Sequence, residues 1–388
     1  MSLNSQAILF LTSWYPVNQN SVHGIFIKNH AVALSQFTKV VVVYAYSAYE
    51  GPFYKIEETQ INENFLELII KYPKPSFALP GIREVKQTLK FKKAYNILLS
   101  ALIEKKIEVK AIQVNIVFPV SIVLSIFKNH FKVKHTIAEN WSGYLESDGN
   151  YKGFFIKHFT EKCFSDVDKI WYVSELQKQA MMKHGLTGHF ELIFNTVNTT
   201  IFKPADKKAL SPKIKLLHVS SLVEREKNIQ GTLRVIKKIQ DKGYDFDFTI
   251  VGGNEQTINN VKQTVIQLQL KNIIFAGSLA PEKVSELMQQ STALILFSFF
   301  EGMPVVALEA LSCGVPVLAT KVGHLPHLII EQFGYLVDVG NEEQMFTAVE
   351  NLFLGKYKFN SEAMRTFILK NASLEAVGKQ FHEHYDAL

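Results

Sequence analysis

The sequence predicts an α/β protein with two doubly wound parallel-sheet domains that face each other across a cleft. Short apolar runs alternate with helical patterns, and this alternation occurs in both halves of the chain. A polar segment with two prolines, residues 195–212, separates the halves and is typical of a linker. Parallel strands covered by helices on both faces are apolar along their whole length, as these runs are.

Each half contributes five predicted strands. Those of the first half are residues 8–12, 40–46, 111–117, 134–138 and 170–173, with helices at 23–37 and 118–129. Those of the second half, each followed by a helical stretch, are residues 215–219, 246–251, 272–275, 293–297 and 315–320. Open parallel sheets bind ligands beyond the carboxyl ends of their strands, so we expect the functional residues at that edge.

Composition excludes several classes of protein. With 388 residues, 47% of them hydrophobic and 20% charged, the chain is typical of a globular protein and not of a disordered or collagen-like one. Two cysteines do not make a disulfide framework, which favours a reducing compartment. No apolar stretch reaches the roughly 20 residues that span a bilayer. We therefore expect a cytoplasmic protein.

Basic residues are concentrated in the first half of the chain. Residues 1–195 contain 22 lysines and arginines against 16 acidic residues, whereas residues 196–388 contain 20 of each. Only four basic residues of the whole chain are arginines. Because readers of DNA sequence depend on bidentate arginine contacts to guanine, we expect no nucleic-acid partner.

The segment of residues 83–110 is a basic helical pattern. It has eight basic and three acidic residues, with apolar positions at Leu89, Tyr95, Leu98, Leu99 and Leu102. Two interpretations are open. A basic amphipathic helix can lie on an anionic membrane, which would make the protein peripheral on the inner membrane face. Alternatively, the apolar side packs on the sheet and the lysines face water.

The strongest motif is SFFEGMPVVALEALSCGVPVLATKVG, residues 298–323. A strand ends before it, Glu301 follows in a loop, and Pro304 suits the first turn of a helix that carries Glu309. The free N–H groups of such a helix attract anions and hydroxyl oxygens. A carboxylate in the loop and another in the helix can face one ligand from two sides, as in sites that bind sugar or ribose hydroxyls.

This segment resembles the glutamate–seven residues–glutamate motif of family-4 glycosyltransferases, which have the GT-B architecture of two Rossmann-like domains. The strings LTSWYP, HGIFIKNHAVAL, KIWYVSELQKQAM, LIFNTVNTTIFKP, LLHVSSLVEREKNI and FTIVGG resemble further family motifs in the same order along nearly the whole chain. The resemblance implies an acceptor-binding domain at residues 1–195 and a nucleotide-sugar-binding domain at 205–365. It also implies a C-terminal segment, 366–388, whose helix crosses back to the first domain.

The resemblance also implies roles for individual residues. Glu309 would hold the ribose of a nucleotide donor, Glu301 would contact the transferred sugar, and Lys227 would meet the diphosphate. A departing diphosphate gains negative charge, which lysine and backbone N–H groups stabilise.

Other positions near these residues are expected to complete the donor site. They are Gly302, Met303 and Pro304 in the motif, and Gly24 in the first strand–helix turn. Gly24 is equally well interpreted as a plain turn glycine.

Three positions depart from the family pattern. Ser221 stands where relatives have an arginine, in a loop one residue longer that supplies Arg225. We expect Arg225 or Lys227 to compensate. Asn140 replaces a histidine on the acceptor side, where we expect it as a catalytic residue that orients a hydroxyl. Because asparagine cannot take a proton at neutral pH, the neighbouring Glu139 is also considered as a base. His324 stands at a usual glycine, where its backbone N–H could still serve.

The resemblance implies a glycosyltransferase that retains the anomeric configuration, and with Lys227 and the helix N-terminus at the diphosphate we expect it to need no metal and no resident cofactor. The expected partners are a nucleotide-diphosphate sugar as donor and a glycan or lipid-linked acceptor, in glycan or surface polysaccharide biosynthesis. The alternatives are a sugar-nucleotide epimerase or phosphorylase on the same fold, and a sugar-nucleotide-binding protein without catalytic activity. The departures at Ser221 and Asn140 favour the last alternative, whereas Lys227, Glu301 and Glu309 argue against it.

Overall fold

The computed structural model describes residues 6–17, 23–49, 51–74, 81–146, 148–205 and 213–388. The chain divides into two compact units. The first runs to Thr196 and also includes Leu374–Leu388, and the second is Val197–Ser373. Residues 206–212 of the predicted linker lie outside the described residues.

The first unit is built on an eight-stranded sheet. Its strands are β1 (Ala7–Thr12), β2 (Lys39–Tyr49), β3 (Lys55–Asn62), β4 (Phe65–Pro73), β5 (Val109–Asn115), β6 (His135–Glu139), β7 (Lys169–Tyr172) and β8 (Phe190–Leu192). Their spatial order is β3-β4-β2-β1-β5-β6-β7-β8. The strand pairs are parallel except for β3 and β4, which form an antiparallel hairpin at one edge. The hairpin and β8 are not predicted from the sequence. Polar, mostly exposed residues of β3 conceal the strand pattern.

Helices cover both faces of this sheet. They are α1 (Ile25–Ser35), α2 (Ile82–Glu104), α3 (Val117–Phe131), α4 (Phe154–Phe164) and α5 (Glu175–Lys183), with a short 3-10 helix at Ser142–Tyr144. The apolar face of α2 packs on the sheet from Phe91 onward, with Tyr95, Leu98 and Leu102 buried. Leu89, expected on that face, is instead 61% exposed, because the first turns of α2 lack a sheet to pack on. The strand predicted to end at residue 117 ends at Asn115, and Val117 begins α3.

The second unit has a six-stranded, fully parallel sheet. Its strands are β9 (Ile214–Ser220), β10 (Phe246–Gly252), β11 (Ile273–Gly277), β12 (Ala293–Leu296), β13 (Val317–Thr320) and β14 (Gly334–Val337), in the order β11-β10-β9-β12-β13-β14. Its helices are α6 (Glu224–Lys227), α7 (Ile229–Asp241), α8 (Glu255–Gln267), α9 (Pro281–Gln290), α10 (Val305–Ser312), α11 (Leu325–Leu328), α12 (Glu342–Phe353) and α13 (Ser361–Asn371). The core lies between sheet and helices, and β14 is a further strand that the sequence did not reveal.

The chain returns to the first unit through its last helix, α14 (Leu374–Asp386). Gly378 of α14 approaches α1 so closely that an added Cβ would lie 2.2 Å from the carbonyl oxygen of Ala33. Tyr385, which is fully buried, places its hydroxyl 2.7 Å from that of Thr136 and donates to Gln113 at 2.6 Å. These contacts make α14 part of the core of the first unit.

Candidate active site

The motif loop of the second unit lies at the carboxyl end of β12. Residues 297–304 connect β12 to α10, and Pro304 is the N-cap of that helix, without a side-chain cap. An uncapped N-terminus leaves N–H groups of the first turn free to bind a ligand. The loop is held from two sides, since the N–H of Phe299 donates to the carbonyl of Glu226 at 2.8 Å and Thr320 Oγ1 donates to the carbonyl of Ser298 at 2.6 Å.

A lysine–glutamate pair joins this loop to the short helix α6. Lys227 Nζ donates to both carboxylate oxygens of Glu301 at 2.9 Å, and the two side chains are 17% and 8% exposed. Ser298 donates its hydroxyl to Glu301 Oε1 at 2.7 Å. Two residues that are 74 positions apart in the chain are thus brought together at one edge of the sheet. The sequence predicted that Lys227 and Glu301 each contact a ligand. The structure shows that they also contact each other.

Glu309 is on the next turn of the same motif, inside α10. Its carboxylate has no hydrogen bond or ion pair with any of the described residues, and burial raises its pKa to about 7. Because helical side chains tilt toward the N-terminus, we expect the carboxylate to lie on the side of the uncapped first turn of α10. A half-buried carboxylate without a side-chain partner among the described residues is suited to accept hydrogen bonds from ligand hydroxyls.

Gly323 keeps the motif loop in place from the opposite side. A Cβ added there would lie 2.2 Å from the carbonyl oxygen of Gly302 and 2.3 Å from that of Glu301, so the two segments approach at backbone distance. The N–H of His324 donates to the Gly302 carbonyl at 2.7 Å. The expectation that this N–H could serve a ligand is therefore wrong, because the loop itself uses it. Burial lowers the pKa of the His324 ring to about 4, so the ring is neutral.

Two residues of β9, His218 and Ser220, support the segment that leads to Lys227 and were not predicted from the sequence. His218, fully buried on β9, has its Nδ1 3.0 Å from the carbonyl of Ile295 and its Nε2 2.7 Å from Ser220 Oγ. The same hydroxyl accepts the N–H of Leu222 at 3.0 Å. This series of hydrogen bonds orders the turn that leads into α6. Ser298 could have been found by its spacing of three residues from Glu301, whereas the role of His218 depends on contacts between strands.

Known proteins share this region. Residues 193–366 match the family model described as glycosyl transferases group 1. An uncharacterized glycosyltransferase of Methanocaldococcus jannaschii is 26% identical over 69% of this chain and 69% of its own length. N-acetyl-alpha-D-glucosaminyl L-malate synthase of Bacillus anthracis is 29% identical over 39% of this chain and 41% of its own length. Residues 193–366, which make up most of the second unit, therefore match the group 1 glycosyltransferases.

Solved structures match almost the whole length of the chain. Sucrose-phosphate synthase from Thermosynechococcus elongatus covers 98% of both chains with a TM-score of 0.78 and 16% identity. An Anabaena protein solved in complex with UDP and glucose covers 99% of this chain and 100% of its own, with a TM-score of 0.69 and 12% identity. The fold is therefore GT-B, as predicted.

The remaining residues of the second unit predicted for the donor site lie in the motif loop and in or next to the short helix α6. Gly302 and Pro304 lie in the motif loop, and Met303 between them is 4% exposed. Arg225 and Ser221 are both exposed, on α6 and in the turn before it. Of the two cations considered as replacements for the missing arginine, Lys227 contacts a motif glutamate and Arg225 does not.

Three residues considered from the sequence belong to the first unit: Gly24, Asn140 and Glu139. Gly24 is the N-cap of α1 with φ of 75°, and an added Cβ would lie 2.8 Å from backbone atoms of Trp14 and Tyr15. Packing of the turn already requires glycine there. Asn140 is half-buried and donates its amide to Asn195 Oδ1 at 2.9 Å.

Glu139 is fully buried and cannot take a proton from an acceptor. It accepts hydrogen bonds from the N–H groups of Val117 and Trp141, at 3.1 and 2.9 Å, and from the Tyr144 hydroxyl at 3.0 Å. Burial raises its pKa to about 7. The role considered for it as a base is therefore wrong, because its carboxylate ties together three segments of the first unit.

No three histidine, cysteine, aspartate or glutamate side chains come together as a metal site within the part of the chain that the structure describes. No helix among these residues is both long and apolar enough to cross a membrane.

We expect Gly323→Ala to lower glycosyltransferase activity by about 100-fold or more, because the new methyl group must displace the backbone of Glu301 and Gly302 and a 1 Å shift of a positioned group costs about that much. Initial rates with a fixed donor and acceptor measure the effect. Gly355→Ala is the matched control, since Gly355 has a similar φ of 60° but nothing within 4 Å of the added Cβ. Equal losses in the two variants would assign the effect to backbone strain and contradict the steric argument.

The raised pKa of Glu309 predicts a dependence of stability on pH. The folded protein holds the proton of Glu309 more tightly than the unfolded chain does. The contribution of this group to the free energy of unfolding is therefore greatest below about pH 4.5 and is lost as the pH rises through about 7. Glu309→Gln should remove this component and be more stable than wild type at pH 8, with the difference vanishing near pH 4. Urea unfolding of both proteins across this range measures it. Parallel stability profiles would show that the carboxyl titrates normally.

Proposed function

We propose that the protein transfers a glycosyl group, with retention of configuration, from a nucleotide-diphosphate sugar to a hydroxyl acceptor. The observation that carries the proposal is the direct pairing of Lys227 with Glu301 in the loop that leads into the uncapped helix α10, whose Glu309 has no side-chain partner among the described residues. Anion-binding N–H groups, one cation and two carboxylates are the groups that a sugar nucleotide requires.

Each group has a role in this proposal. Glu309 accepts hydrogen bonds from the ribose hydroxyls of the donor. The first turn of α10 and Lys227 bind the diphosphate, and Glu301 turns to the hydroxyls of the transferred sugar once the diphosphate has taken over Lys227. The structure of the Anabaena protein with UDP and glucose supports uridine diphosphate sugars as the first donors to test.

The chemical step follows from these positions. The bond between the anomeric carbon and the diphosphate oxygen breaks, and the acceptor oxygen forms its bond on the same face of the sugar. The acceptor proton passes to the departing phosphate oxygen, so no protein base is needed. This is consistent with Asn140 and with the burial of Glu139. Lys227 and backbone N–H groups stabilise the leaving group without a metal ion.

A binding screen followed by a product assay tests the proposal. A ligand present at 100 times its dissociation constant adds about 2.7 kcal/mol of stability, which a thermal shift detects. We expect a nucleoside diphosphate to stabilise the protein in the presence of EDTA, and NMR of the product to show the donor's anomeric configuration. Absence of binding by every common nucleoside diphosphate would refute the donor site. A change in the donor sugar without any acceptor would indicate an epimerase.

A further inference from the structure

The first unit exposes two adjacent phenylalanines at the start of α4. Phe154 and Phe155 are 75% and 71% exposed, and Gly153 precedes them with φ of 90°. Transfer of an exposed phenylalanine side chain from water to an apolar environment is favourable. Two neighbours that both point away from the core indicate a surface that another phase or molecule covers.

The first turns of α2 form a second exposed apolar surface. All residues of 81–87 are exposed, including Ile82 and Val85 at 52% and 59%, and Leu89 follows at 61%. Helix α2 packs on β4, and Lys90 of α2 donates its ammonium to the carbonyl of Lys74, just past the end of β4, at 2.7 Å. The turns of α2 that precede Lys90 therefore lie beyond the carboxyl end of β4.

Both surfaces lie at the same edge and on the same face. Helices α2, α3, α4 and α5 connect β4 to β5, β5 to β6, β6 to β7 and β7 to β8, and all four connections run in the same direction across the sheet. Right-handed crossovers therefore place these helices on one face of the sheet. Contacts of α2 with α3 and of α3 with α4 agree with this placement. Each helix starts at the carboxyl ends of the strands. The start of α4 and the projecting turns of α2 therefore flank the same rim of the first unit.

The rim is basic. Residues 81–93 contain five lysines and arginines and one acid, and residues 152–162 contain three lysines and one acid. The acid of the first segment, Glu84, accepts the N–H of Gly81 at the start of α2. Among the described residues, Arg83, Lys86, Lys152 and Lys157 have no ion pair. Unpaired cations around exposed phenylalanine, isoleucine and valine complement an anionic, apolar surface.

We propose that this rim docks on an anionic lipid bilayer. Phe154 and Phe155 insert at the level of the headgroups, together with Ile82 and Val85 of the projecting helix. The surrounding lysines and arginines bind lipid phosphates. A bilayer is favoured over a protein partner because the exposed apolar side chains belong to two separate helix starts, each with cations in the same segment, and a fluid anionic surface accommodates both. The proposal does not depend on the transferase function.

Vesicle flotation of the full-length protein tests the proposal. We expect binding to vesicles of phosphatidylglycerol and phosphatidylcholine at low salt, weaker binding at high salt, and little binding to phosphatidylcholine alone. Phe154→Ser with Phe155→Ser should weaken partitioning by about tenfold or more, since two apolar anchors are lost. Lys86→Gln with Lys157→Gln should weaken it by a similar factor.

Matched controls separate this surface from nonspecific effects. Ile266→Ser removes a side chain that is 74% exposed on α8 of the second unit, and Lys370→Gln removes an exposed lysine of α13. Both should leave binding unchanged, and thermal unfolding should show that all variants fold. The proposal is overturned if wild type does not bind anionic vesicles at low salt or if the phenylalanine variant binds like wild type. It is also overturned if the phenylalanine variant loses self-association in analytical ultracentrifugation but keeps its binding to anionic vesicles.

Discussion

Lys227→Ala is expected to lower turnover by at least about 100-fold. Removing a preorganised donor to a developing negative charge costs about 2.7–4 kcal/mol in the transition state. Lys227 is the cation that the structure places against Glu301, while Ser221 supplies no charge. Single-turnover rates with saturating donor measure the chemical step, because they exclude a loss that arises only from weaker donor binding.

Loss of folding must be separated from loss of catalysis in this variant. Removing Lys227 leaves Glu301, whose side chain is 8% exposed, without its cation, which destabilises the loop. The double variant Lys227→Ala with Glu301→Gln removes that unpaired charge, and it should recover stability but not turnover. Lys237→Ala, at an exposed pair on α7, is the matched control and should be neutral. Turnover close to wild type in a folded Lys227→Ala protein would contradict the assignment.

Arg225→Ala is the comparison that decides which cation compensates for the missing arginine. Because Arg225 is exposed and Lys227 is paired in the site, we expect a loss of about tenfold or less for Arg225. The same single-turnover assay applies. A larger loss at Arg225 than at Lys227 would reverse the assignment of the diphosphate contact.

Glu309→Ala and Glu301→Ala are expected to separate nucleotide binding from sugar transfer. Glu309 should contact ribose, so its loss weakens binding of the bare nucleoside diphosphate by about 10- to 100-fold, the equivalent of 1.5–3 kcal/mol for a charged hydrogen bond. Glu301 should contact only the transferred sugar, so its loss spares nucleotide binding and lowers turnover. Calorimetry with the nucleoside diphosphate and with the full donor measures both effects.

The comparison between the two glutamates contains its own control. Both are in one motif, and Glu301→Ala frees Lys227, which should if anything strengthen attraction of the diphosphate. Glu309→Gln tests whether charge or shape matters at the second position. If both alanine variants bind the nucleoside diphosphate like wild type, the ribose assignment is wrong. If Glu301→Ala alone weakens nucleotide binding, the two roles are exchanged.

Local patterns in the sequence predicted much of the fold and the donor-side residues. Strands such as β1, β10 and β12 are found where apolar runs predicted them, because a strand buried on both faces needs apolar residues throughout. Glu301 and Glu309 were found because one strand–loop–helix motif contains both. Lys227 was found only through a resemblance in a separate segment, and its distance to Glu301 could not be read from spacing.

The predictions that failed concern residues whose surroundings come from distant parts of the chain. Leu89 has the helical spacing of a core residue but lies beyond the sheet. Glu139 was considered as a base, yet segments up to 22 residues away enclose its carboxylate. The N–H of His324 was considered open to a ligand, but the motif loop uses it.

By itself, the sequence determined the alternation of apolar strands and helices, the motif that places two carboxylates eight positions apart, and the basic excess of the first half. These are local properties, since strand burial, helix capping and charge depend on residues close in the chain. Only the tertiary structure decided that Lys227 pairs with Glu301, that Glu309 has no side-chain partner among the described residues, and that Phe154 and Ile82 are exposed. Pairing and burial depend on which elements the sheets bring together, and that depends on strand order, which spacing along the chain does not encode.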